Sequence, residues 1–227
     1  MEVEVKERPL IFTGESVRAI VEGRKTQTRR LCKKAVDHGV CADSVHMDGA
    51  GVGWIAWWGH AATAEETRKM YPGDSGFLCP HGAVGDRIWV RETWARIYDV
   101  YPFAEGDPSH VEYRADGDAG RFPGEWPPET REDAERPRWK SPFFLKRVDS
   151  RITLEITDVR VERLHSISWD DVKAEGVLVN CDGTRGARSY FVEAWDKING
   201  KTAPWSGNPW VWALAFRRIK PPVPKAG

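Results

Sequence analysis

Between Gly23 and Arg30 the chain reads Gly-Arg-Lys-Thr-Gln-Thr-Arg-Arg, which places one amine, two hydroxyls and three guanidinium groups within eight residues. Guanidinium groups bind phosphates and other anions. An amine crowded by Arg24, Arg29 and Arg30 is pushed toward losing its proton, and burial pushes it the same way. The segment therefore reads as a place where an anionic or strongly polar partner is met, with Lys25 able to move a proton. Because the formal net charge of the chain is zero, the basicity is local.

The second chemical signal is aromatic. Tryptophan occurs 12 times in 227 residues, and most of these rings are expected to fill the core. A few can instead offer a π-face to an unpaired or flipped base while arginines take the phosphates. The candidates are Trp89, Trp94, Trp139 and Trp210, with Arg24, Thr26, Arg29 and Arg30 on the polar side. Glu92, next to Arg91, either accepts a hydrogen bond from a base amine or belongs to a structural ion pair. The expected partner is a nucleoside or a single-stranded or modified nucleic acid. A nuclease would use the same basic cluster to neutralise developing charge, but no histidine pair or carboxylate cluster in the sequence favours it independently.

The elements that must position these groups follow from periodicity. Pro9 to Phe12 reads as a short strand. A helix follows that Ser16 can cap, with Val17, Ile20 and Val21 on one face and Gly23 as a left-handed exit. Thr26 to Leu31 reads as a strand. The pattern fades from about 33 to 81 except for a capping box at Thr63 to Glu66, opening a helix that Pro72 and Gly73 end. Gly85-Asp86 turns into a strand over 87 to 94. Residues 97 to 148 lack periodicity, and Glu105 to Glu135 holds ten acidic residues against three arginines, which offsets the basic cluster. Both stretches read as insertions.

In the clearest strand Ile152, Leu154 and Ile156 alternate, and Val159 and Val161 then alternate in the opposite phase. That slip predicts a β-bulge or bend, as at the corner of a small barrel. A helix started by Ser168 with Asp171 stops at Gly176, another spans about 190 to 199, and the last strand, Trp210 to Ile219, is apolar on both faces in its first half and should be covered on both sides there.

Apolar content of 41% and charged content of 30% are ordinary for a globular chain. No apolar run approaches the length of a membrane span, and the acidic start lacks the character of a secretory signal. A cytoplasmic protein with no membrane partner is expected. Cys32, Cys41, Cys79 and Cys181 contain no CxxC pair, and the spacing of Cys41, His46, Cys79 and His81 matches no common zinc pattern. Neither metal nor cofactor is expected.

In order, the segments GRKTQTRR, GDRIWVRETW, RITLEITDVRVERL, SWDDVKAEGV and NPWVWALAFRRI resemble the ASCH domain family of the PUA-like superfamily, with matching stretches at roughly 9 to 31, 83 to 95, 150 to 177 and 208 to 219. The longer form with GDRIWVRETW is similar to members often carried by bacteriophages and prophages, which would place the protein in a bacterial host's cytoplasm. The resemblance implies a single mixed α/β domain over residues 1 to 227. It would be a small β-barrel flanked by helices, with a core at about 9 to 31, 83 to 95 and 150 to 219, insertions at about 33 to 81 and 97 to 148, and a cleft for RNA, DNA or a nucleoside.

The nearest functional parallel is the group of small N(4)-acetylcytidine amidohydrolases, whose catalytic lysine, threonine and glutamate are matched by Lys25, Thr28 and Glu175. The chain departs from them in its length and in carrying Arg29 where they have an apolar residue. Amide hydrolysis without metal needs a nucleophile, a base near neutrality and a donor for the leaving amine, and the resemblance assigns these roles to that trio. Other members of the family act on RNA or bind without known catalysis. A binding module and a ribonuclease therefore stay open beside the amidohydrolase.

Overall fold

The computed structural model describes residues 5–33, 45–47, 54–56, 79–97, 110–117, 139–177 and 184–219. Along the chain these form β1 (Glu7–Ile11), α1 (Gly14–Val21), β2 (Gln27–Leu31), β3 (Val45–Met47), β4 (Trp54–Ala56), β5 (Arg87–Arg91), β6 (Trp94–Ile97), β7 (His110–Tyr113), β8 (Thr153–Arg163), α2 (Trp169–Ala174), α3 (Thr184–Asn199) and β9 (Trp210–Ile219). The fold is mixed α/β around one five-stranded sheet in the order β1-β5-β8-β9-β2. β1 pairs with β5 in parallel, and the remaining neighbours are antiparallel.

β8 is the spine of this sheet. Its register against β9 slips between Ile156 and Asp158, leaving Thr157 as the extra, exposed residue. The bulge keeps Leu154 and Ile156 before it, and Val159 after it, in the same core, as the slipped alternation requires. β9 is buried from Trp210 to Leu214 and again at Phe216 because its faces meet different layers. Trp210, Trp212, Leu214 and Phe216 join the main core with Val17 and Ile20 of α1. Val211 joins Val172 of α2 and Phe191 and Trp195 of α3 in a second one. Each fully buried side chain of this size contributes about 1.5–3 kcal/mol.

Among the described residues the sheet does not close into the expected barrel: β1 and β2 end the hydrogen-bonded order. A side chain spans the remaining gap. Arg30 on β2 donates from Nη2 to the Ile11 carbonyl of β1 at 2.6 Å, and its guanidinium lies over the Phe12 ring at 5.0 Å. The sheet curls until its edges are one arginine apart.

Several expectations need correction. Thr13, not Ser16, caps α1: its backbone is extended and its hydroxyl accepts the Ser16 N–H, the geometry an N-cap requires. The strand foreseen over 87 to 94 breaks at Glu92-Thr93, because β6 leaves the sheet to pair with β7. α3 begins six residues before Tyr190. Within the stretch 97 to 148, read as an insertion, some residues pack on the rest of the fold. Ala115 is in the main core, its carbonyl accepts from Arg18 of α1 at 3.0 Å, and Lys140 bridges to Trp94. The helix foreseen at Thr63 lies outside the described residues. Among the described residues no helix is long and apolar enough to cross a membrane.

Deleting Thr157 removes the unpaired residue and leaves Leu154, Ile156, Val159 and Val161 in one continuous alternation, so the variant should still unfold cooperatively in urea, its stability changed by about 0.5–3 kcal/mol as β8 loses its bend. Thr157→Ala, at an exposed position, should stay within about 0.5 kcal/mol of the parent.

Candidate functional site

The site is built where α1 hands the chain to β2. Gly23 takes φ of 76°, a conformation with little steric cost only for glycine. Arg24 and Lys25 then both donate their backbone N–H to the Ala19 carbonyl at 2.9 Å. This turn delivers Lys25 to the free edge of β2, where it forms an isolated antiparallel bridge with Glu175.

Glu175 stands at the end of α2, whose start is set by a complete capping box between Ser168 and Asp171. The last carbonyls of a helix lack intrahelical donors, and the 24–26 segment supplies them. The Thr26 N–H donates to Ala174 O at 2.8 Å, Lys25 Nζ to Glu175 O at 2.8 Å, and Arg24 Nη1 to Gly176 O at 2.7 Å. Gly176 has φ of 82°, and a Cβ there would lie 2.7 Å from Lys25 Cβ and 2.8 Å from Ala19 Cβ. Its absence is what lets α2 seat this closely.

The side chains form a dense ionic cluster. Lys25 Nζ reaches Glu175 Oε2 at 2.6 Å, and Arg29 Nη1 reaches Glu175 Oε1 at 3.2 Å. Arg29 also binds Glu162 Oε1 through Nε at 2.8 Å and Nη2 at 2.5 Å, Asp171 Oδ2 at 3.2 Å and Gln27 Oε1 at 2.8 Å. Arg160 closes the ring onto Glu162, Asp171 and Asp158. The Lys25, Glu175 and Arg29 side chains are 4%, 6% and 1% exposed. The segment expected to face an outside anion is thus largely answered by the protein's own carboxylates and helix carbonyls.

Desolvation pulls the Lys25 amine below its ordinary pKa. Glu175 opposes this, and the charges of Arg30 and Arg29 add to it. Burial alone would raise Asp171, but hydrogen bonds from Ser168 and the charges of Arg29 and Arg160 outweigh it and bring the carboxyl down to about 2. Burial lowers Arg30 to about 10, so it remains a cation at neutral pH, and burial with Arg30 and Arg8 nearby lowers His81 to about 4.

Thr28 is buried within β2. Strand alternation sets it with Arg30 on the face opposite Gln27 and Arg29, and among the described residues no hydrogen bond joins it to Lys25 or Glu175. Lys25 and Arg29 share the Glu175 carboxylate, so this contact lies on the Arg29 side of β2. Thr26 is exposed, and Arg24 pairs with Glu22.

The aromatic candidates lie elsewhere and carry cations of their own. Arg91 lies over Trp89 at 4.6 Å, Lys140 over Trp94 at 5.0 Å and Arg163 over Trp210 at 4.4 Å. These three rings are 8%, 6% and 7% exposed, while Trp139 is half-buried. Glu92 is held by Arg151 through two hydrogen bonds of 3.0 Å, the ion pair foreseen as its alternative. Sequence reasoning missed Glu162, Asp171, Arg160 and Gln27 as partners of this site. Arg160, Glu162 and Gln27 leave only the trace of polar residues at alternate positions of β8 and β2, Asp171 reads as a helix cap, and pairing them requires the register.

Gly176→Ala should destabilise by about 2–4 kcal/mol in urea denaturation, combining a left-handed backbone with overpacking. Asp171 has a folded pKa lowered from 3.8 to about 2, so its stabilisation is complete above pH about 4 and lost as pH falls toward 2. Thermal melts of Asp171→Asn should therefore be less stable than the parent at pH 7, with the difference shrinking across that acid window.

Comparison of the chain with protein families, with curated proteins and with solved structures found no match.

Proposed function

We propose that the protein is an ASCH-type, PUA-like amidohydrolase that removes an N-acyl group from the exocyclic amine of a modified cytosine, as a nucleoside or within a nucleic acid. The observation that carries this reading is the direct contact between Lys25 and Glu175, residues 150 positions apart. A curled mixed sheet with a bulged long strand is compatible with the PUA-like fold that the motifs resemble.

A buried amine whose pKa is lowered can act as a general base near neutrality. In this mechanism substrate binding turns the Lys25 side chain from the Glu175 carbonyl toward the Thr28 face of β2, where Nζ, as the free amine, takes the Thr28 hydroxyl proton as Oγ1 attacks the acyl carbon. The tetrahedral intermediate collapses when the resulting ammonium returns that proton to the departing cytosine nitrogen, leaving an acyl ester on Thr28. Water, deprotonated by the same amine, hydrolyses the ester, releasing the carboxylic acid and restoring the hydroxyl. Glu175 orients the amine throughout. Arg24 and Arg30, on the same segment as Lys25, add positive charge suited to a nucleotide. The cations already seated on Trp89, Trp94 and Trp210 favour this reading over a passive base reader, because those rings are engaged within the chain.

The test is incubation with N(4)-acetylcytidine and with an acetylated oligonucleotide, followed by chromatography. Lys25→Met and Thr28→Val should each lower turnover by at least about a hundredfold, the contribution typical of a general base or nucleophile. Lys25→Met also removes a partner of a buried carboxylate. It should cost stability, but less than the roughly 3–5 kcal/mol of an orphaned buried charge, because Arg29 remains on Glu175. If the wild type deacylates neither substrate yet binds oligonucleotides in a salt-dependent manner, a binding module replaces the enzyme.

A further inference from the structure

The Glu175 carboxylate is shared by two cations of different kind. Lys25 holds Oε2 at 2.6 Å and can lose its proton. Arg29 holds Oε1 at 3.2 Å and cannot, since a guanidinium stays charged across the working range of pH. Arg29 is also immobilised. Its three nitrogens are engaged by Glu162, Asp171, Gln27 and Glu175, and its side chain is 1% exposed.

With Lys25 as the only cation on Glu175, deprotonating the amine would leave a buried carboxylate unpaired, which costs about 3–5 kcal/mol. That cost would keep the lysine protonated and useless as a base. We propose that Arg29 is a positioning residue that keeps the Glu175 carboxylate paired and in place, so that Lys25 can give up its proton.

Of the other charges around Lys25, most are paired, while the Arg30 charge also acts on Lys25 and Glu175 without touching either. Arg24, on the same segment, is matched by Glu22. Arg30 of β2 donates to Ile11 O, with His81 and its lowered pKa beside it. Arg160 and Glu162 of β8 and Asp171 of α2 are bound to one another, with Asp158 on Arg160. Among these arginines Arg29 is the one in contact with the Glu175 carboxylate, so its removal changes what pairs that carboxylate.

The inference rests on the reading of Lys25 as the proton-transfer group, but its test needs no substrate. Protein labelled with ¹³C at lysine Cε is titrated by NMR, and the Lys25 signal is identified by its loss in Lys25→Met. In the wild type Lys25 should titrate below the ordinary lysine value of about 10.4. Arg29→Gln keeps hydrogen-bonding groups while removing the charge, and should bind the Lys25 proton at least about tenfold more tightly. Arg29→Lys should restore a titration close to that of the wild type.

A wild-type Lys25 that titrates at or above the ordinary value overturns the proposal even if Arg29→Gln fails to fold. So does a folded Arg29→Gln that titrates like the wild type. Absence of deacylation would overturn the proposed activity and leave this result standing, whereas intact deacylation with an unshifted Lys25 would overturn only the role of Arg29.

Discussion

The seating of the α2 C-terminus on the segment from Arg24 to Arg29 is the constraint on which the rest of the structure depends. A helix end buried against a sheet edge carries carbonyls without donors, and this one also carries a carboxylate in a place with little water. Both demands are met by one short run of chain: a backbone N–H from Thr26, an ammonium from Lys25 and guanidinium groups from Arg24 and Arg29. Burying any of these alone would be unfavourable. Together they satisfy one another, and the close approach of Gly176 to Lys25 makes the fit depend on the absence of a single methyl group.

Around this contact, charge is organised in paired clusters. Arg29 and Arg160 face Glu162, Asp171 and Glu175, while across the molecule Arg151 is gripped by Glu92 and Asp116 and stacks on Tyr113 at 4.1 Å. The apolar layers then need only cover two faces of β9, and the bulge at Thr157 keeps β8 in phase with both halves of that task. Arg30 serves the same economy at the far edge, taking a carbonyl of β1 where a backbone ladder would otherwise close the sheet.

A buried ion pair is poor evidence of stability, since desolvation offsets much of its attraction. Its value here is specificity. Burial makes the charged state of Lys25 expensive, while Arg29 gives Glu175 a second cation. Perturbed amines of this kind concentrate at functional sites, and the geometry around this one supplies a reason for the perturbation in named side chains.

Much of this was legible in the residues themselves. The alternation of β8 with its phase slip, the two-sided apolar run of β9, the Ser168–Asp171 cap and the glycine exits at Gly23 and Gly176 are local signals, each fixed by a periodicity or a dihedral that neighbours along the chain reveal. The cap of α1 was misplaced by three residues because Thr13 and Ser16 carry the same hydroxyl, and only backbone conformation tells them apart. What tertiary structure alone decided is who meets whom. Lys25 and Glu175 touch, Arg29 takes three carboxylates from two elements, Arg91 and Arg163 lie over tryptophans read as open platforms, and the sheet stops short of a ring. These are long-range electrostatic and steric matches between segments up to 150 residues apart, and a sequence pattern, which records only what lies along the chain, holds no trace of the register and curl that bring them together.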